Sequence, residues 1–171
     1  MKQILVFLIF IIPILTFGQT NPFKKLNYDK VIAYEFQGNG GLLIENCLKN
    51  EKKKTNKTKS LTEKQTKKLE AILVSEEAYG NPTMSCFDPH FAIIYYLNEK
   101  IVGTINICLD CNYLIASEKI PATEFKMIKI SDDYSYPANG FSKNTRKELY
   151  DYIKSIGFTK YLKPLTSYLD E

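Results

Sequence analysis

Ile4 to Ile12 form an unbroken apolar run, Pro13 interrupts it, and Ile14-Leu15-Thr16-Phe17-Gly18 follow. Nothing downstream is comparable. Lys2 precedes the run, the run is short of the ~20 residues that span a bilayer as a helix, and small residues stand at Thr16 and Gly18. This pattern predicts an export signal over 1–18, cut before Gln19, leaving a single domain over 19–171. An uncleaved anchor is the competing reading, and Pro13 and the short run argue against it. No Cys lies beside the cut to accept a lipid.

Beyond the signal the apolar pattern changes to short runs. Tyr28 to Phe36 holds Val31-Ile32-Ala33-Tyr34, a strand composition. Gln37-Gly38-Asn39-Gly40-Gly41 reads as a turn, and Leu42 to Leu48 as the returning strand of a first hairpin. The stretch 50–59 carries no apolar residue and reads as a Lys-rich solvated loop near 49–60. A helix follows, capped by Ser60 or Thr62 with Glu63 or Gln65 as reciprocal partner, with Leu69, Ile72 and Leu73 as its stripe. It should end before Gly80-Asn81-Pro82.

Phe91 to Leu97 and Ile101 to Cys108 are two strands joined by Asn98-Glu99-Lys100. A three-residue loop pairs Leu97 with Ile101, Tyr95 with Gly103, Ile93 with Ile105 and Phe91 with Ile107. Gly103 apart, that face is wholly apolar. A two-residue loop would slip the pairing by one and put Asn106 opposite Phe91, so the first register is preferred. Tyr113 to Ala116 and Glu124 to Ile130 read as further strands, and 131–140 as a polar, Tyr-containing loop. Ser142 caps a last helix over Lys143 to Ser155, with Leu149, Tyr152, Ile153 and Ile156 as its stripe and Gly157 closing it. The tail from Phe158 has no clear period. Hairpins rather than βαβ units predict an α+β fold, an antiparallel sheet with two main helices packed on it.

Composition changes this picture little. The net charge of +4 over 171 residues points to no particular partner. One His and no Trp thin the catalytic possibilities. The Lys-rich stretch lacks the interleaved aromatics that stack on bases, so nucleic acid is not expected. There is no nucleophile elbow, no His-Glu-x-x-His and no calcium-loop spacing. After signal removal no segment is expected to span a membrane. The exposed aromatic candidate is Tyr134-Ser135-Tyr136, in a loop.

The cysteines carry the candidate chemistry. The derived register sets His90 opposite Cys108, with Cys86 four residues before His90 and Cys111 three after Cys108. Three readings stand. In the first, export leads to an oxidising compartment and the cysteines Cys47, Cys86, Cys108 and Cys111 supply disulfides, with Cys86 able to pair with Cys108 or Cys111. In the second, Cys86, His90, Cys108 and Cys111 bind a metal, zinc being the suitable ion. No other cofactor is predicted. In the third, Cys108-Leu109-Asp110-Cys111 undergoes thiol–disulfide exchange, against which stand its position after a strand and the neighbouring Asp110.

The segment Cys86-Phe87-Asp88-Pro89-His90 through Tyr96, with Ile107-Cys108-Leu109-Asp110-Cys111-Asn112 and Gly140-Phe141-Ser142-Lys143, resembles small, mostly exported, uncharacterised proteins of Bacteroidota-type bacteria. The resemblance spans about residues 61 to 158. It implies a recurring domain and a destination in the periplasm, outer membrane or medium, and no reaction. The sequence thus leads to an exported, non-enzymatic domain that binds an envelope or extracellular macromolecule, of accessory or immunity type. A metal-binding or thiol-redox protein is the alternative.

Overall fold

The structure is a computed structural model, and it describes residues 21–38, 40–49, 55–124 and 127–165. The expected export signal, part of the Lys-rich stretch (50–54) and the end of the tail (166–171) lie outside the described residues. In chain order the elements are β1 (Lys30–Glu35), α1 (Ile44–Lys49), β2 (Lys57–Ser60), α2 (Glu63–Val74), β3 (Tyr79–Asn81), β4 (Phe91–Leu97), β5 (Lys100–Cys108), β6 (Tyr113–Ala116), β7 (Met127–Lys129), β8 (Ser135–Pro137), β9 (Gly140–Phe141) and α3 (Lys143–Ser155). The main sheet is antiparallel with strand order β2-β1-β4-β5-β6, and β3–β9 and β7–β8 form two small separate pairs. The fold is α+β.

The sheet is covered on both faces. On one, Val31, Ala33, Phe91, Ile93, Tyr95, Ile105 and Ile107 pack against Leu69 and Leu73 of α2 and Leu149, Tyr152 and Ile153 of α3. On the other, Tyr34, Ala92, Ile94 and Tyr96 pack with Phe36 and with Ile44 and Cys47 of α1. β4 therefore reads apolar at every position rather than alternately. Both main helices start as the sequence predicts. Thr62 and Gln65 form a reciprocal capping box, and the Ser142 side chain accepts from the Thr145 N–H. The helix residues Leu69, Ile72, Leu73, Leu149, Tyr152, Ile153 and Ile156 are all buried, and Gly157 closes α3 with φ 89°.

Three expectations of local structure need correction, the first being that 131–140 is not wholly a loop, since Ser135–Pro137 is the strand β8. Leu42 to Leu48 is not the returning strand of a hairpin: Ile44–Lys49 is the helix α1. The space beside β1 is already taken, by β4 on one side and β2 on the other. Ile44 and Cys47, three apart, share one helical face and close the second face of the sheet, and the Ile44 N–H donates to Asn106 Oδ1 at 2.8 Å. Nor is 50–59 wholly a loop, because Lys57–Ser60 is the edge strand β2. Its side chains are mostly exposed, and lysines on an edge discourage pairing with a further chain.

In the central hairpin, Phe91 pairs with Ile107, Ile93 with Ile105 and Tyr95 with Gly103, as expected. The loop differs. Leu97 pairs with Lys100 across a two-residue turn in which Asn98 and Glu99 have φ of 50° and 62°. A turn of this kind matches the twist of the strands. The ladder irregularity between Tyr95 and Tyr96 absorbs the extra residue, Val102, and restores the apolar register. Gly103 breaks the apolar face for a packing reason: a Cβ there would sit 2.6 Å from Leu26 Cδ1.

The buried carboxylate of Glu70 accepts from Tyr95 Oη at 3.1 Å and from Asn21 Nδ2 at 2.9 Å, tying the first described residues to the core. Burial, and then the nearby Glu70, raise the Tyr95 hydroxyl well above its ordinary pKa.

Glu99 holds a left-handed backbone that glycine adopts freely, and its ion pair with Lys30 is at the surface and contributes little. Glu99→Gly should therefore raise stability, by about 0.5–1 kcal/mol. Urea unfolding checks it, and a fall in stability would contradict the turn geometry.

Candidate functional site

β5 leaves the sheet at Cys108, and Leu109-Asp110-Cys111-Asn112 turns the chain back into β6. The turn closes with Asn112 N–H donating to the Leu109 carbonyl at 3.2 Å and with Asn112 at φ 64°. Within it Cys108 and Cys111 are joined by a disulfide, their Cα atoms 5.1 Å apart, and the Cys111 N–H donates to Cys108 Sγ at 3.0 Å. The turn is held from several sides. Arg146 of α3 donates to the Leu109 carbonyl and, at 3.1 Å, to Asn112 Oδ1. Asn112 Nδ2 donates to the carbonyls of Pro82 (2.8 Å) and Phe141 (3.2 Å). Asp110 pairs with Lys163 at 2.5 Å.

The segment that leads into β4 lies against this turn. Met84 N–H donates to the Cys111 carbonyl at 2.9 Å, and Asp88 N–H donates to Cys111 Sγ at 3.1 Å. Between these two anchors, Cys86 Sγ comes to 3.8 Å from Cys111 Sγ. Cys86 is an exposed free thiol, whereas Cys108 and Cys111 are each 1% exposed. The ring of Phe87 packs 4.7 Å from that of Tyr113. Burial, and secondarily the charge of an ionised Cys86, raise the Tyr113 hydroxyl above its ordinary pKa.

The structure thus brings Cys86, Cys108 and Cys111 together, but the bond formed is Cys108–Cys111 and not the expected pairing of Cys86 with one of them, because the tight turn holds Cys108 and Cys111 against each other. Cys47 is buried in the cluster around Ile44 and Phe36 and takes no part in the disulfide. His90 does not join the sulfurs. Its Nδ1 lies 3.2 Å from the Phe36 carbonyl, its Nε2 is 3.8 Å from Asp88, and its ring stacks on Tyr161 at 4.6 Å. The proposed zinc set of Cys86, His90, Cys108 and Cys111 is therefore not assembled, and two of its four ligands are consumed by the disulfide. Among the described residues no three His, Cys, Asp or Glu side chains gather so as to hold a metal ion. The cavity beside His90, lined also by Glu35, Asp110 and Tyr161, has a volume of about 30 Å³, the room of about one water.

Asn112 stands in the sequence pattern only as the residue after Cys111, and Arg146 is not part of it. A signal for Arg146 exists: it is the one arginine of the chain, and its Nη1 donates to both the Leu109 carbonyl and Asn112 Oδ1.

A second feature lies in the β7–β8 hairpin. Met127, Ile130 and Tyr134 are 58%, 64% and 59% exposed, the largest exposures among the big apolar side chains described. Tyr134, expected to be the exposed aromatic, is so placed, and Tyr136 is half-buried.

Comparison with protein-family models, with curated proteins and with solved structures finds no match to this chain.

The turn geometry makes a testable statement about Asn112, which is fully buried. Asn112→Ala removes hydrogen bonds to two carbonyls and puts alanine, which lacks asparagine's tolerance of the left-handed region, at φ 64°, and should cost about 3 kcal/mol. Asn112→Gly keeps the backbone preference and should cost about 1 kcal/mol less. Denaturant unfolding of both variants checks the order, and equal losses would contradict the left-handed constraint.

Proposed function

We propose that the protein is exported and acts outside the cytoplasm as a non-enzymatic domain that binds another protein, in an accessory or immunity-type role. The single observation that carries the reading is the apolar surface of the β7–β8 hairpin, where Met127, Ile130 and Tyr134 stand in solvent. Met and Tyr are enriched at the cores of protein interfaces, and three large apolar side chains exposed on one small hairpin suit contact with a partner's surface. Asp132 and Asp133 at the hairpin tip favour a protein surface with an apolar pocket and a basic rim over a nucleic acid. Export is supported by the N-terminal sequence pattern and by the Cys108–Cys111 disulfide, a bond that persists in oxidising compartments. No helix among the described residues is long and apolar enough to cross a membrane.

The test is paired capture from native envelope and medium fractions, with the wild-type chain and a Met127→Ser, Ile130→Ser, Tyr134→Ser variant as baits. The exposed positions leave the core intact, so the melting temperature should hold. The reading expects a protein retained by the wild type and depleted at least about tenfold with the variant. Identical captures with both baits would overturn it.

A further inference from the structure

We propose that Cys86, Cys111 and Cys108 form a three-sulfur exchange site, in which the exposed Cys86 opens the buried Cys108–Cys111 disulfide to thiols in solution. This goes beyond the binding role and is independent of it.

The argument rests on access and contact. The disulfide sulfurs belong to residues that are each 1% exposed, so a thiol from outside does not reach them directly. Cys86 is exposed and its sulfur touches one of them, Cys111, at 3.8 Å. That contact is held by backbone, since the Met84 and Asp88 N–H groups both bond to Cys111, one to its carbonyl and one to its sulfur. A structural disulfide needs no third sulfur pinned against it.

The exchange is balanced without an external oxidant. Cys86 gives its proton to solvent, and the thiolate lone pair forms a bond to Cys111 Sγ. The Cys108–Cys111 bond breaks, and its electron pair leaves on Cys108 Sγ, which takes up a proton. The Cys111 N–H that donates to Cys108 Sγ at 3.0 Å stands where the leaving thiolate's charge develops. One disulfide and one thiol remain. The disulfide now has a surface sulfur, and the buried thiol is Cys108. A solution thiolate can then attack Cys86 Sγ, forming a mixed disulfide there and releasing Cys111 as thiolate. The substrate class is thus an accessible thiol, whether on a small molecule or on another exported protein.

The test uses the full oxidised chain, its Cys86→Ser variant and reduced glutathione as the probe thiol. Reaction is stopped by acid, free thiols are alkylated, and the pairing is mapped by peptide mass. The proposal expects both Cys108–Cys111 and Cys86–Cys111 bonds in the wild type and a glutathione adduct on Cys86. In Cys86→Ser, reduction of the Cys108–Cys111 bond should slow by at least about tenfold, because the remaining sulfurs are shielded. Cys86→Ser is a surface change, and an unaltered melting temperature confirms its fold. Cys108→Ala should trap Cys86–Cys111 in full. Equal reduction rates in wild type and Cys86→Ser would overturn the proposal, as would one wild-type pairing unchanged by glutathione. If adducts form equally with glutathione and with a cysteine-containing peptide, the site takes thiols in general; a peptide preference assigns it to protein thiols.

Discussion

β4 is buried on both faces, and the rest of the molecule is arranged to meet that constraint. Six successive side chains, Phe91 to Tyr96, are shielded from water. Burying each of the large ones contributes on the order of 1.5–3 kcal/mol, but only if two separate covers are supplied. α2 and α3 cover the face of Phe91, Ile93 and Tyr95, and α1 with Phe36 covers that of Ala92, Ile94 and Tyr96. On the second face the cover is also polar at its edge. Asn106, fully buried, accepts from the Ile44 N–H, so the start of α1 is bonded to the sheet as well as packed on it. The hydroxyls of Tyr34 and Tyr96 satisfy one another there at 2.6 Å.

The same constraint explains which parts of the fold were legible in the sequence. Thr62 and Ser142 were readable as caps because a cap is a local arrangement of a few residues. The pairing of Phe91 with Ile107 was readable because a slip by one would have put polar Asn106 on an apolar face. Leu42 to Leu48 was not, since a short apolar run does not declare its period, and the choice of helix was made by strands far away in sequence. Lys57–Ser60 carries no apolar signal at all, being an exposed edge. The loop of the central hairpin is ambiguous in the sequence because a two-residue turn with a bulge at Val102 yields the same interior register as a three-residue loop.

In the site, the meeting of Cys86 with the turn of Cys108 and Cys111 was legible from the hairpin register, and the bond between Cys108 and Cys111 and the direction of His90 were not. His90 stands just before β4 begins. Its backbone carbonyl accepts from the Phe36 N–H, and its ring turns to the Phe36 carbonyl and Tyr161. The β4–β5 ladder ends at Phe91 and Ile107, so the expected pairing of His90 with Cys108 is not formed and the imidazole does not reach the sulfurs. The turn that carries Cys108 and Cys111 is fixed by Asn112 and Arg146, whose partners lie up to 37 residues away and leave no local pattern. The outcome is a rigid end of the sheet where a buried disulfide meets one surface thiol.

Hydrogen exchange at the start of α1 tests the two-sided burial of β4 most directly. If α1 is an integral cover, the Ile44 and Cys47 amides open only with the whole domain, and their protection equals that of Ile93 and Ile94 in β4. Rapid exchange at Ile44 and Cys47 while β4 stays protected would show that the second face is not closed by this helix, and would contradict the account.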